Sequence, residues 1–513
     1  MNDWTSHRVA VLVLLGGSLA VAAGLGFAAS EPQWQALALA VALLPLIAGL
    51  SRLKIVGLVA AFVVSQNLTH FVKRAVFLLG PQPQAVYFGI QLFPLAILVL
   101  LCATAFRGLR RTGLSWSGRL LLAYITLAVA TTVFMAEELS WSVVLAAIHQ
   151  QLLPFCLFFV GLSLRLDQFA KIGRCLALLA AISVAYGLLQ LVSGPTPVDR
   201  AWAAETYRYS IQGAKVFAYL EGVSQEFRAF SYYADPLTWG LFLVAALLGA
   251  SVSRATGRMG RLALWSVVLS VLVGLFLSLT RTSWVGLLAT LGTCWLLKGR
   301  FLHRSWLVFG MVVAAFGLVV VGGEYLYREL FLGRRLPALE NTIAARYITV
   351  GTIEARISAF EALGGAAKTA PLVGRGYGLL HLASRSPATG PLGIPSSHNF
   401  LVELVLAVGV PGCLLFLWFY FQLLREGFAA LRNVLDGGEA RALRWMIAFS
   451  IGSVITGYLN GPTFMTYEFF LVAGVLAGQA RRAPVEIAHR AAPVKFTQGW
   501  SPHAFGPQGG LVG

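Results

Sequence analysis

Charged side chains are scarce in this chain. They make up 12% of its 513 residues, where a soluble domain carries about 25%. That shortage excludes a soluble enzyme built on one core, a disordered chain and a fibrous repeat. Cysteine is sparse too. Cys102, Cys156, Cys175, Cys294 and Cys413 all lie in or beside apolar runs, which leaves no disulfide framework and no paired-cysteine metal spacing. There is no Walker loop, no serine-nucleophile elbow, no histidine cluster and no Asp-x-Asp pair in an early loop. The adjacent acids Glu137 and Glu138 are the nearest approach to a metal-binding pair, so a metal-dependent reaction is disfavoured. Acid is also short against base, with 21 Asp and Glu facing 39 Lys and Arg and a formal net charge of +18.

What the chain has instead is apolar length. Hydrophobic types make up 58% of it, and the mean hydropathy is +0.76. Long apolar runs recur from Val9 to Ala480, and a run of about 20 such residues spans a bilayer as a helix. The expected fold is all-α and polytopic, with about 14 transmembrane helices (12–14). The spans fall near 9–29, 36–50, 55–75, 86–106, 119–136, 142–164, 174–193, 236–253, 262–279, 284–297, 306–323, 400–423, 445–460 and 465–480.

The charges then assign sides. Short loops and tails on one side collect 24 of the 39 cations, from Arg8 and Lys54 to Arg481 and Lys495. The positive-inside rule makes that side cytoplasmic and places both termini there. The excess of base is thus topological, and no nucleic-acid partner is expected. The first helix is expected to stay uncleaved, although Gly26-Phe27-Ala28-Ala29-Ser30 has the small-residue look of a signal cleavage site. The organisation expected is N-terminal spans over 1–193, an external loop over 194–235, spans over 236–323, a large external loop over 324–399, C-terminal spans over 400–480, and a disordered cytoplasmic tail over 481–513.

Four places carry residues that are expensive where they stand. Arg281 lies between two apolar runs, flanked by Thr280, Thr282, Ser283 and Trp284. It fits either an interface anchor snorkelling beside Trp284 or a polar pocket. The loop 324–399 holds eight cations, Arg356 and Arg375 among them, against five acids. Positive charge on the external side suggests an anionic ligand, for which arginine is suited; a solvated loop is the other reading. Arg375 sits in Gly374-Arg375-Gly376-Tyr377-Gly378, where glycine permits close backbone approach. Ser396-Ser397-His398-Asn399 opens a span whose helix N-terminus faces outwards, and Glu403 follows one to two turns deeper. His398 there is either structural or a proton acceptor. The fourth place is the re-entry Phe230-Ser231-Tyr232-Tyr233-Ala234-Asp235-Pro236, with Asp235 before Pro236 reading as a helix start.

Taken together, Ser-His-Asn-x-Leu-x-Glu at the head of a span, the upstream Pro371-Leu372-Val373-Gly374-Arg375-Gly376-Tyr377-Gly378, the Thr280-Arg281 pair and the Phe-Ser-x-x-x-Asp-Pro re-entry resemble the bacterial O-antigen ligase and O-antigen (exopolysaccharide) polymerase family. The resemblance is strongest over about 225–420. It implies a C-type glycosyltransferase-like architecture in the bacterial inner membrane, with a large periplasmic loop and a site at the periplasmic face. It implies transfer of a glycan from a polyprenyl-pyrophosphate carrier to a sugar hydroxyl, needing no metal, nucleotide sugar or other cofactor. The acceptor is another carrier-linked glycan in polymerases and lipid A-core in ligases, and other polysaccharide-assembly proteins are implied partners. His398 resembles the family's catalytic histidine, and Arg281 and Arg356 its two pyrophosphate-binding arginines. Arg375, Asn399 and Glu403 stand as support. The expectation carried forward is a metal-independent, inverting polymerase. The alternatives are ligation onto lipid A-core and a lipid-linked glycan flippase.

Overall fold

The computed structural model of the chain describes residues 49–50, 53–77, 84–135, 144, 147–194, 196–200, 229–233, 236–253, 257–278, 280–298, 372–378, 400–434, 437–460 and 465–491. Among the described residues the chain is helical and contains no strand. Eleven α-helices follow in order: α1 Ile55–Phe77, α2 Gln84–Thr112, α3 Trp116–Phe134, α4 Cys156–Ser163, α5 Leu166–Ser193, α6 Pro236–Val252, α7 Gly257–Ser278, α8 Arg281–Leu296, α9 Phe400–Asn433, α10 Gly437–Asn460 and α11 Tyr467–Ala491. Each falls on an apolar stretch expected to span. The stretches 9–29 and 306–323, and 36–50 apart from its last two residues, lie outside the described residues.

Six helical segments are long and apolar enough to cross a membrane by length and composition: Ile55–Val76, Leu92–Arg110, Trp116–Phe134, Leu166–Ser193, Gly260–Ser278 and Phe400–Asn433. Leu153–Ser163, Pro236–Val252 and Thr282–Leu296 are apolar but shorter. The helices show why a bilayer is the solvent. Large apolar side chains stay on the outside of α5 and α7, with Val192 84% and Trp265 69% exposed. In water such a surface would aggregate; against acyl chains it is neutral.

Lipid tails give helices no hydrophobic reason to associate, so close packing by small residues takes over. Gly161 of α4 meets Gly474 and Leu471 of α11 so closely that a Cβ on it would come within 3.0 Å of their backbone. Gly173 of α5 meets Gly249 of α6 in the same way, and a Cβ on Gly286 of α8 would run into the Thr456 hydroxyl of α10. At mid-depth an aromatic core of Tyr124, Phe155, Phe158, Phe416, Phe419 and Phe470 joins α3, α4, α9 and α11.

Two expected spans are irregular. The stretch 142–164 enters α4 through a π-turn at Ile148–Leu152 and a 3-10 turn at Leu153–Phe155. Pro154 accounts for this, because it has no N–H for the α-helical ladder. Helix α9 is broken at Gly409, whose φ is 71° and ψ 177°, two residues before Pro411. Past the break it runs to Asn433, beyond the expected end at 423. Helix α11 likewise continues to Ala491, so the tail expected to be disordered from 481 begins as helix. Two of its arginines are tied down: Arg481 donates to the Gly113 carbonyl at 2.6 Å, and Arg482 to those of Leu164 at 2.5 Å and Leu162 at 2.8 Å.

Those contacts define one end of the bundle. Glu426 of α9 accepts from the Ser117 amide at 3.0 Å, and Ser253 donates to the Ala170 carbonyl at 2.9 Å. Gly113, Ser117, Leu164, Ala170, Ser253, Glu426, Arg481 and Arg482 therefore lie together, in the loops that hold most of the described cations. The opposite, far end is reached by the C-termini of α1, α3, α5 and α7 and by the N-termini of α6, α8 and α9.

Candidate functional site

The far end contains three described clusters. The first joins α1, α5 and the re-entry segment. Arg74, 2% exposed, pairs with Asp199, fully buried, at 2.8 Å. It also donates to the Ser231 carbonyl at 3.1 Å and to the Tyr233 carbonyl at 2.6 Å, and lies 4.9 Å from the Phe230 ring centroid. Gln190 of α5 works beside it. Its Nε2 donates to Asp199 Oδ2 at 3.2 Å and to the Ser231 carbonyl at 2.9 Å, while its Oε1 accepts from the Phe230 and Ser231 amides. Residues on both sides of 201–228 are thus bound to the same two side chains. Ser231 takes a positive φ of 55°, and its hydroxyl donates to the Ser183 carbonyl at 2.7 Å. Tyr232 donates to the Leu179 carbonyl at 3.0 Å, and Tyr233 to Asn67 Oδ1 at 2.7 Å. Burial pushes the Tyr232 phenol up to about 12, with Tyr233 and Ser183 partly opposing that shift.

The second cluster is the tight connection from α7 to α8. Ser278, Thr280 and Ser283 are buried and form a hydroxyl chain, with oxygens 2.8 Å and then 2.9 Å apart. Gly240 of α6 packs directly against Thr280 and Ser283. Trp239, its neighbour, donates to Ser183 Oγ at 3.0 Å, which links this cluster to the first. Arg281 is the first residue of α8, and no side chain caps that helix end. Only its backbone is described. Trp284, one turn on, is 9% exposed, and its indole N–H has no hydrogen-bond partner among the described residues. A helix N-terminus with uncapped amides is an anion-binding element.

The third cluster is the glycine-rich turn that sequence reading placed beside Arg375. Residues 372–378 tuck into the break of α9. The Arg375 amide donates to the Leu406 carbonyl at 2.6 Å, and Gly374 lies against the Ala407–Val408 backbone. The carbonyl of Leu372 occupies the space beside Gly409. Helix α3 supplies the other wall: the Tyr377 amide donates to Thr132 Oγ1 at 3.1 Å, and the Tyr377 and Tyr124 hydroxyls are 2.5 Å apart, both residues being buried. Burial raises the Tyr377 phenol, with the Tyr124 bond opposing. Gly374 and Gly376 have φ of 25° and 74°, which only glycine adopts without strain. Arg375 is half-buried, and Glu403 stands half-buried in the first turn of α9, close enough to Tyr377 to act on its phenol.

His398, Arg356 and Asn399 lie outside the described residues, as do Glu137 and Glu138. No three His, Cys, Asp or Glu side chains gather in a metal-ligand group among the described residues. The sequence reading did not single out Arg74, Gln190, Asp199, Tyr124 or Thr132. Arg74 had a signal: with Lys73 it is a cation at the external end of an apolar run, where the positive-inside rule predicts none.

The span heads at 281 and 400 and the docked turn at 374–377 therefore share one end of a helical membrane bundle. A family model described as O-antigen ligase matches residues 265–417. Over that stretch the chain is similar to the O-antigen ligase family. The matched stretch is less than a third of the chain. It contains Arg281, Arg356, Arg375, His398, Asn399 and Glu403, while the Arg74 cluster and the α3 residues lie before it. No curated protein matches the chain. The family match supports glycan transfer in surface-polysaccharide biosynthesis.

Proposed function

We propose that the chain transfers a glycan from a polyprenyl-pyrophosphate carrier to an acceptor sugar hydroxyl, at the periplasmic face of the bacterial inner membrane. The observation that carries this reading is that all six candidate residues fall inside the O-antigen ligase match. The cation-rich loops at one end, taken as cytoplasmic by the positive-inside rule, turn the far end outward.

In this mechanism the acceptor oxygen attacks the anomeric carbon as the bond from that carbon to the diphosphate oxygen breaks. A single displacement inverts the anomeric centre. His398 accepts the hydroxyl proton, a role worth about 10²–10⁴ in rate. Arg281 and Arg356 neutralise the charge that grows on the departing diphosphate, and loss of one such group costs about 10²–10³. The uncapped first turn of α8 and the indole N–H of Trp284 add donors beside Arg281. The diphosphate is already a good leaving group, so neither a metal nor another cofactor has a step to perform. Asn399 and Glu403 support the head of α9.

The acceptor is proposed to be a second carrier-linked glycan, which makes the reaction a polymerisation. The family description favours a second reading, ligation onto lipid A-core. A reconstituted assay offering both acceptors to the same donor separates them. A flippase would move the carrier without consuming the donor, so a wild-type protein that leaves the carrier-linked donor intact refutes transfer.

A further inference from the structure

Arg375 is a cation on a turn whose backbone has no freedom left. Its own amide is bound to α9, the next but one amide is bound to α3, and the glycines on either side have positive φ. Thr132 lies 16 residues along α3 from the start at Trp116, so the turn docks about 24 Å from the basic end. A guanidinium brought that close to a bilayer ordinarily has a partner. Here the side chain is half-buried and makes no hydrogen bond or ion pair with any described residue. The described ion pairs are Arg74–Asp199 and Arg165–Asp167, and Glu403, the acid on the facing segment of α9, is not one of Arg375's partners. The backbone ties would hold the guanidinium ready for a ligand before that ligand arrives, which lowers the ordering loss on binding.

We propose that Arg375 is a substrate-binding residue that takes an oxyanion, a carboxylate or a phosphate, through its bidentate fork. Tyr124 and Thr132 of α3 are positioning residues that hold its turn in the break of α9. This rests on the glycan-transfer reading for the identity of the substrate, and the two sources of an oxyanion are an acidic sugar of the glycan and the diphosphate of the carrier.

The test uses the full chain in nanodiscs and measures binding rather than turnover. Three probes are compared: polyprenyl diphosphate without glycan, a uronic-acid oligosaccharide without lipid, and a neutral oligosaccharide of equal length. Arg375→Gln is expected to weaken one of the two anionic probes by about tenfold or more, as for a charged hydrogen bond, with the neutral probe unchanged. The affected probe names the source. Wild-type binding of neither anionic probe, or equal binding of both by Arg375→Gln, overturns the proposal. A second measurement needs no variant: the bound anionic probe should slow phenylglyoxal modification of Arg375 in the wild-type protein, read by peptide mass spectrometry. Unslowed modification overturns it as well. If His398→Ala abolishes transfer while Arg375→Gln binds normally, this inference falls and the transfer reading stands. If no transfer occurs but oxyanion binding depends on Arg375, the reverse holds.

Discussion

Replacing Asp199 by Asn should destabilise the bundle severely. The carboxylate lies 2.8 Å from Arg74, and both side chains are out of solvent. At that distance the gross attraction is about 6 kcal/mol for an effective dielectric constant of about 20. The net effect of losing the charge is set by what remains. Arg74 keeps the Ser231 and Tyr233 carbonyls, which orient it without neutralising it, so a desolvated cation loses the carboxylate it now pairs with. Breaking a buried pair in this way costs about 3–5 kcal/mol. The single Asn oxygen can keep the Thr196 and Gln190 bonds now made to Asp199 Oδ2, but its amide nitrogen then faces the Arg74 donor, so the 2.8 Å bond from Arg74 is lost with the charge. The assay is reversible unfolding of the detergent-solubilised protein, comparing Asp199→Asn, Arg74→Met and the double variant. The double variant should recover a large part of the loss, since it leaves no orphan charge. An Asp199→Asn effect below about 1 kcal/mol, or single effects that simply add in the double variant, would refute the argument.

Other consequences follow from the same contacts. Tyr124→Phe leaves the Tyr377 hydroxyl buried without its partner and should destabilise by about 1–3 kcal/mol, with partial recovery in Tyr124→Phe/Tyr377→Phe; unfolding of the three variants checks it. Gly474→Val forces α11 away from Phe158 and Gly161, and overpacking of this kind costs about 1–3 kcal/mol or more, visible as a lower melting temperature. The Tyr232 phenol, raised from 10.0 to about 12 in the fold, adds stability that is complete below pH 10 and is lost as pH rises towards 12. Tyr232→Phe should flatten that alkaline loss in unfolding measured across the range.

Much of the helical layout was legible because apolar length leaves a local record. The runs at 55–75, 262–279 and 400–423 each became helix, and residues 230–233 of the re-entry dip onto Asn67 and Ser183. What was not legible depends on contacts between distant residues. Arg74 and Asp199 are 125 positions apart, and no spacing rule joins them. The docking of 372–378 against Thr132 could not be read either, since its glycines announce a turn but not the surface it meets. The break in α9 was half visible in Gly409 and Pro411, yet the apolar run continues through both and reads as one span. Arg281 heads α8, ahead of the expected span start at 284, and nothing in the sequence revealed the Ser278–Thr280–Ser283 hydroxyl chain beside it.

The most direct measurement is transfer by the reconstituted full chain, supplied with carrier-pyrophosphate glycan and an acceptor in the presence of EDTA. The account predicts inverted product from the wild type, with His398→Ala slower by about 10²–10⁴ and Arg281→Gln by about 10²–10³. Donor consumption by both variants at the wild-type rate would contradict it.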